Sequence, residues 1–154
     1  MAATRLPGKP LLKINNLSII SHVFKRAEEA NIGEVVVATD NEEILKDVIK
    51  NGGNAILTKK NHKTGTDRIF EAYKKLNIKN VDYVLNLQGD EPDINKDEII
   101  NLNNLMISQK SELGTLAAKI QNDKMLNNKN VVKVITDKKL VENNFPTALN
   151  FTRD

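Results

Sequence analysis

The chain predicts a three-layer α/β fold around a mainly parallel sheet, and three observations carry that prediction. Helical and strand periodicities alternate over the first two-thirds of the 154 residues. Val35, Val36 and Val37 centre a β-branched run from Glu34 to Thr39, the composition of a strand covered on both faces. A second apolar run, Tyr83 to Leu87, breaks abruptly into Gln88-Gly89-Asp90-Glu91-Pro92, an acidic turn at a strand's carboxyl end. In open α/β sheets that edge is where ligands bind.

Each element follows from local pattern. Residues 1–12 contain Pro7, Gly8 and Pro10 and exclude a regular element. Leu17, Ile20, Val23, Phe24, Ala27 and Ala30 have helical spacing, with Lys25, Arg26, Glu28 and Glu29 on the opposite face. Asp40 or Asn41 caps a helix from Glu42 to Lys50, which Gly52-Gly53 ends. Ala55 to Thr58 is a short strand. Thr66 to Leu76 is a helix with Ile69, Phe70, Tyr73 and Leu76 inward, and a further helix runs from Asn95 or Lys96 to about Ser108. Gly114 to Ile120, Val131 to Thr136 and Ala148 to Arg153 are strands, with a turn at Asp137-Lys138-Lys139. There is no repeat, linker or low-complexity tract, and residues 1–154 are expected to form a single domain.

Composition narrows the function classes. A hydrophobic content of 40% and a charged content of 28% are ordinary for a globular protein. The net charge of +3 is spread along the chain, without the basic stripe that nucleic-acid binding needs, so no nucleic-acid partner is expected. With no Cys, disulfides and thiol catalysis are excluded and a reducing cytoplasm fits. No apolar run reaches the ~18 residues of a membrane span, and residues 1–7 lack a signal-peptide core, so no membrane association is expected.

Three polar segments could carry chemistry. Arg5-Leu6-Pro7-Gly8-Lys9-Pro10 places two cations in a stiffened loop before a helix, a cradle for polyphosphate or a plain solvated loop. His62-Lys63-Thr64-Gly65-Thr66-Asp67-Arg68 offers hydroxyl, backbone and guanidinium groups to a base, with Thr66 as the helix cap; the same residues also read as a cap with an exposed ion pair. In the third segment, Asp90 and Glu91 on the turn could grip a hard cation such as Mg²⁺, or be solvated. A lone loop His62 reads as solvated and His22, within the first helix, as structural.

Together these segments resemble the signature blocks of the 3-deoxy-manno-octulosonate (KDO) cytidylyltransferase family. The resemblance rests on Arg5 to Leu11, His62 to Arg68 and Asn86 to Pro92 in order, with Val36-Val37-Ala38-Thr39-Asp40 matching the family's second strand. Asn150-Phe151-Thr152-Arg153 is similar to a Tyr-Phe-Ser-Arg segment, with Asn150 and Thr152 as departures, and Thr64 stands where Ser is usual. The resemblance implies a Rossmann-like nucleotidyltransferase fold that joins CTP and KDO into CMP-KDO and pyrophosphate, for lipopolysaccharide synthesis in the cytoplasm. It implies Arg5 and Lys9 on the triphosphate, Asp90 on Mg²⁺, Thr64, Gly65, Arg68 and Gln88 around the cytidine, and Arg153 on the KDO carboxylate.

The family opens with a strand ending Ile-Pro-Ala-Arg where this chain has Met1-Ala2-Ala3, and it continues well past Arg153. The expectation is therefore a fragment, incomplete at both ends and lacking much of the family's homodimer interface. Two alternatives remain: a sister enzyme for another acid sugar such as sialic acid, and a truncated remnant that at most binds nucleotide.

Overall fold

Apolar spacing and capping side chains set the helices of this computed structural model, which describes residues 8–141 and 144–154. The chain divides into two compact units, Met1–Ile99 and Ile100–Asp154.

In the first unit, a short 3₁₀ turn at Lys9–Leu11 follows Gly8, whose φ of 75° suits glycine. Strands β1 (Lys13–Ile14) and β2 (Leu17–Ser18) form an antiparallel hairpin through Asn15 and Asn16, both at positive φ. Leu17 thus belongs to this hairpin and not to the helix expected around it, because Ser18 caps α1 (Ile19–Ala30) through Ser21 N–H. Strand β3 (Val37–Thr39) leads into α2 (Glu42–Lys50), and Asn41, not Asp40, is the cap, accepting from Glu43 and Ile44 N–H. Strand β4 (Ala55–Leu57) pairs parallel with β3 in the register Val37–Ala55, Ala38–Ile56, Thr39–Leu57. Helix α3 (Gly65–Leu76) follows, and α4 (Lys96–Gln109) starts close to the expected residue.

The core of this unit is Ile20, Phe24 and Val48, with Val35, Val37, Ile44 and Ala55 against them. Burial of such side chains contributes roughly 1.5–3 kcal/mol each. Below it, Ser18 and Ser21 of α1 both bond the Asp47 carboxylate of α2, so the buried polar atoms are paired. Gly53 is required by this packing: a Cβ there would sit 2.8 Å from Val48 Cγ1 and 2.9 Å from Phe24 Cε1.

The second unit holds a short helix α5 (Asp123–Leu126), capped by Asn122, and the antiparallel pair β5 (Lys133–Thr136) and β6 (Ala148–Thr152). Sequence pattern placed both strands and missed α5, whose cap side chain was its one local signal.

Several expectations need correction. Tyr83 to Leu87 and Gly114 to Ile120 carry strand composition, yet no ladder pairs them among the described residues. An extended run becomes a strand only by exchanging hydrogen bonds with a neighbour, and side chains at 83–85 stay 36–56% exposed in consequence. Among the described residues the strands form three separate pairs, β3–β4 parallel and β1–β2 and β5–β6 antiparallel. Phe70 lies 56% exposed under the Lys74 ammonium, 4.6 Å from its ring centre, because it faces away from the α2–β4 core.

Candidate active site

The turn that follows the run 83–87 is built by the chain's abrupt change from apolar to acidic residues. Glu91 N–H bonds the Gln88 carbonyl at 3.3 Å, and Ile94 N–H bonds the Glu91 carbonyl at 3.3 Å. Gly89 lies against α1: a Cβ there would be 2.8 Å from Ile20 Cδ1. The absence of a side chain thus lets the turn approach the helix. Asp90 projects from the turn and accepts from Lys9 Nζ at 2.9 Å through Oδ2. The first and third polar segments therefore meet, although 81 residues separate the two partners. Both side chains remain accessible, 35% for Lys9 and 50% for Asp90, so a ligand could reach them.

The second segment is a fully built helix N-terminus. Thr64 is the cap, in place of the expected Thr66, since its Oγ1 accepts from Asp67 N–H at 3.1 Å. The Asp67 carboxylate in turn accepts from Thr64 N–H at 3.2 Å and from its hydroxyl at 2.7 Å, closing a capping box. Gly65 has open space beside it, with nothing within 4 Å of where a Cβ would stand. Arg68 is drawn away from solvent, 11% exposed. Its Nη2 donates to Asp40 Oδ2 at 2.8 Å, and its Nη1 donates to Thr58 Oγ1 at 2.6 Å and the Lys59 carbonyl at 3.3 Å. Arg68 thus pairs with Asp40 from outside the segment and is largely covered, while Asp67 serves the cap.

His62 is not solvated. It bonds the Glu71 carboxylate, and the two side chains are 16% and 14% exposed. Glu71 also accepts from Lys75 Nζ at 2.8 Å and from Lys59 N–H at 3.1 Å. The Lys75 ammonium first, then His62 and the Lys59 amide, hold its carboxyl at about 2, below the ordinary 4.5. His22 is structural as expected, its Nε2 donating to the Ile14 carbonyl of the hairpin at 2.9 Å.

The remaining expected site residues are Arg5, Gln88 and Arg153. Arg5 lies outside the described residues. Gln88 is exposed on the turn. Among the described residues, no hydrogen bond or ion pair joins His62–Arg68 to Lys9 or Asp90. In the second unit, Arg153 Nη1 donates to the Lys129 and Asn130 carbonyls at 3.2 Å each. Its own carbonyl accepts from buried Lys133 Nζ at 2.7 Å. Asp40 and Thr58 were missed as site residues. Asp40 was legible as one of two adjacent cap candidates, only one of which a helix can use.

No group of three or more His, Asp or Glu that could hold a metal occurs among the described residues. Mg²⁺ does not require such a group: it takes one or two carboxylates and completes its shell with water and phosphate oxygens. Asp90, accessible and beside a cation, fits that use.

Residues 1–151 match the family model described as "Cytidylyltransferase", and the chain belongs to that family. Among similar proteins, the 3-deoxy-manno-octulosonate cytidylyltransferase of Nitrobacter hamburgensis is 46% identical over 88% of this chain and 53% of its own length. Its namesake in Rhodopseudomonas palustris strain BisB5 is 44% identical over 99% of this chain and 62% of its own length. A solved structure described as CMP:2-keto-3-deoxy-manno-octonic acid synthetase complexed with CTP superimposes with a TM-score of 0.83 at 37% identity, over 97% of this chain and 59% of that one. The α/β nucleotidyltransferase fold expected from the sequence is therefore the fold of this chain. The chain spans a little over half the length of these relatives.

Proposed function

We propose that this chain forms the nucleotide-binding part of an enzyme that transfers CMP from CTP to KDO, releasing pyrophosphate. The observation that carries the reading is the approach of Lys9 to Asp90 at 2.9 Å. It puts a phosphate-seeking cation beside an accessible carboxylate suited to Mg²⁺. The relatives' names and the CTP in the similar solved structure support the substrates.

The KDO anomeric hydroxyl attacks the α-phosphorus and gives up its proton to solvent, the bond from the α-phosphorus to the bridging oxygen breaks, and pyrophosphate departs with the excess charge. Lys9, with Arg5, binds the triphosphate and offsets that charge. Asp90 holds Mg²⁺, which when bound screens phosphate oxygens as a Lewis acid. The base lies on the α3 N-terminus and the turn, against Thr64, Gly65, Arg68 and Gln88. The Thr64 hydroxyl already donates to Asp67, so its spare capacity is as an acceptor. That favours the donor amino group of cytosine over an acceptor carbonyl at the same position. Arg153 meets the KDO carboxylate with its guanidinium fork. The whole protein is a cytoplasmic homodimer that activates KDO for lipopolysaccharide synthesis, with no nucleic-acid or membrane partner.

For the 154 residues by themselves, nucleotide binding without turnover is the second reading, favoured by the run at 83–87 joining no strand ladder among the described residues. The test is pyrophosphate release from CTP with KDO and Mg²⁺, using this chain and a chimera completed from a relative. KDO-dependent release by the chimera is expected. Release with a sialic acid and none with KDO overturns the sugar assignment, and equal use of CTP, UTP and ATP overturns the nucleotide assignment.

A further inference from the structure

We propose that Asp40 is a positioning residue for nucleotide selectivity, acting through Arg68 on the N-terminal cap of α3. This deepens, and rests on, the reading of Thr64 and Gly65 as the base subsite. Four observations carry it.

First, Arg68 has both terminal nitrogens engaged within the protein, on Asp40, Thr58 and the Lys59 carbonyl. To read a base through those nitrogens it would have to share or release these partners. Second, these partners mark one edge of the sheet. Asp40 directly follows β3 and Thr58 directly follows β4, and the two strands run parallel. Arg68 therefore fastens α3 to the carboxyl edge at two strand ends, which a planar guanidinium fork does better than an ammonium.

Third, the fastening lies one turn from the cap. Arg68 N–H makes an early helical bond, to the Thr64 carbonyl at 3.4 Å, so a shift of Arg68 carries Thr64 and Gly65 with it. Fourth, among the described residues the Asp40 carboxylate is committed to Arg68. Its neighbour Asn41 caps α2, while Thr39 Oγ1 accepts from Asn41 N–H at 3.1 Å, which leaves the Asp40 carboxylate for Arg68. Glu71 pins the preceding loop through His62 and Lys59 N–H, so the subsite is tethered on both sides.

Selectivity between CTP and UTP depends on where one hydroxyl and a few backbone atoms stand. A displacement of about 1 Å can cost on the order of 10²-fold in a positioned contact. Removing the Asp40 charge should thus lower discrimination more than it lowers triphosphate binding, which uses other residues.

The experiment is calorimetric binding of CTP and UTP to the wild-type chain, Asp40→Asn, Arg68→Lys, the double variant and Asp40→Glu, with a thermal melt of each. Asp40→Asn and Arg68→Lys should each reduce the CTP-to-UTP affinity ratio by roughly ten- to hundredfold. The double variant should be no worse than the worse single one, since both break the same link. Asp40→Glu, which keeps the carboxylate, should recover part of the ratio. Thr58→Val, which removes only one acceptor, should move the ratio in the same direction by less.

Three results overturn the proposal. A folded Asp40→Asn with the wild-type ratio does so, and so do single losses that multiply in the double variant, which would make Arg68 an independent reader of the base. Loss of folding in every variant, Thr58→Val included, would give Asp40 a stability role only. A wild-type chain that binds CTP and UTP equally is a distinct failure: it removes the base-subsite reading itself, and the positioning role with it.

Discussion

The His62–Arg68 segment and the Gln88–Pro92 turn were both read as ligand loops, yet they are held in opposite ways. The first is over-determined. Its cap is reciprocal, its arginine is clamped to two strand ends, and its histidine is tied to Glu71. The second rests on two 3.3 Å backbone bonds and one ion pair to a residue distant in sequence, and the extended run before it joins no strand ladder among the described residues. A reader of base shape needs the first kind of support, because discrimination depends on fixed positions. A holder of metal and phosphate can use the second, because charge acts over distance and Lys9 and Asp90 neutralise one another until a ligand separates them.

The contrast breaks most visibly at Asp90. In a chimera of full relative length, Asp90→Asn should leave the melt nearly unchanged, since one exposed ion pair is worth about 0–1 kcal/mol. Turnover should fall on the order of 10²–10³ or more, the cost of losing one preorganised charge contact. Lys9→Ala should lose less if Arg5 shares the phosphate charge. Near-normal turnover of Asp90→Asn at saturating CTP and Mg²⁺ would remove Asp90 from the metal role.

Two glycines sharpen the comparison. Gly65 has open space at its Cβ position and an ordinary helical place, so Gly65→Ala should not lower the melting temperature. A base seated there would meet the new methyl, at about 1–3 kcal/mol for overpacking, or roughly ten- to hundredfold in CTP affinity. Gly89→Ala should do the reverse first, destabilising the turn by pressing on buried Ile20. Calorimetry and melts on both variants separate the cases. Unchanged CTP binding by Gly65→Ala would show that the nucleotide does not approach that backbone.

How much of this was legible follows the range of the interactions. Helices α1, α2 and α4 rest on local spacing and local caps, and the sequence placed them within a few residues. Thr64 also acts locally, but competing hydroxyls at 64 and 66 made the cap ambiguous until the Asp67 reciprocal bond was seen. Tyr83 to Leu87 has strand composition but joins no strand ladder among the described residues, and pairing is a property of two segments that one segment's pattern does not carry. The Arg68–Asp40 link spans 28 residues and the Lys9–Asp90 link 81. Signature blocks named Lys9, Asp90 and Arg68 but gave no way to see that the last faces inward. Phe70 fits helical spacing and still points outward, because periodicity gives a face and not its direction.

A smaller effect tests the rigid side of the comparison. Thr64→Ala removes the cap oxygen and leaves Asp67 N–H unpaired, so the melt should fall by about 1 kcal/mol of stability. Thr64→Ser should keep both stability and CTP preference. A Thr64→Ala variant as stable as wild type would mean that the Asp67 carboxylate supports the turn without the hydroxyl.

The smallest effect is confined to acid. Glu71 has its carboxyl held at about 2 in the folded chain, against 4.5 ordinarily, chiefly by the Lys75 ammonium and then by His62 and Lys59 N–H. A depressed carboxyl binds fewer protons folded than unfolded, so stability rises with pH in that window. Its contribution is fully present above pH 4.5 and is lost as the pH falls toward about 2. The comparison is a pH series of melts for wild type against Glu71→Gln. The wild-type advantage should be constant above pH 4.5, shrink below it and be mostly gone near pH 2, where the Glu71 carboxyl is about half protonated. Other carboxylates titrate in the same range but are common to both proteins, so the difference between the curves isolates Glu71. Because Glu71 pins the loop ahead of the Thr64 cap, CTP affinity should decline with it over the same interval, beyond any decline seen in Glu71→Gln. An advantage that persists unchanged to pH 2 would mean that the His62 and Lys59 contacts hold the loop without the carboxylate's charge.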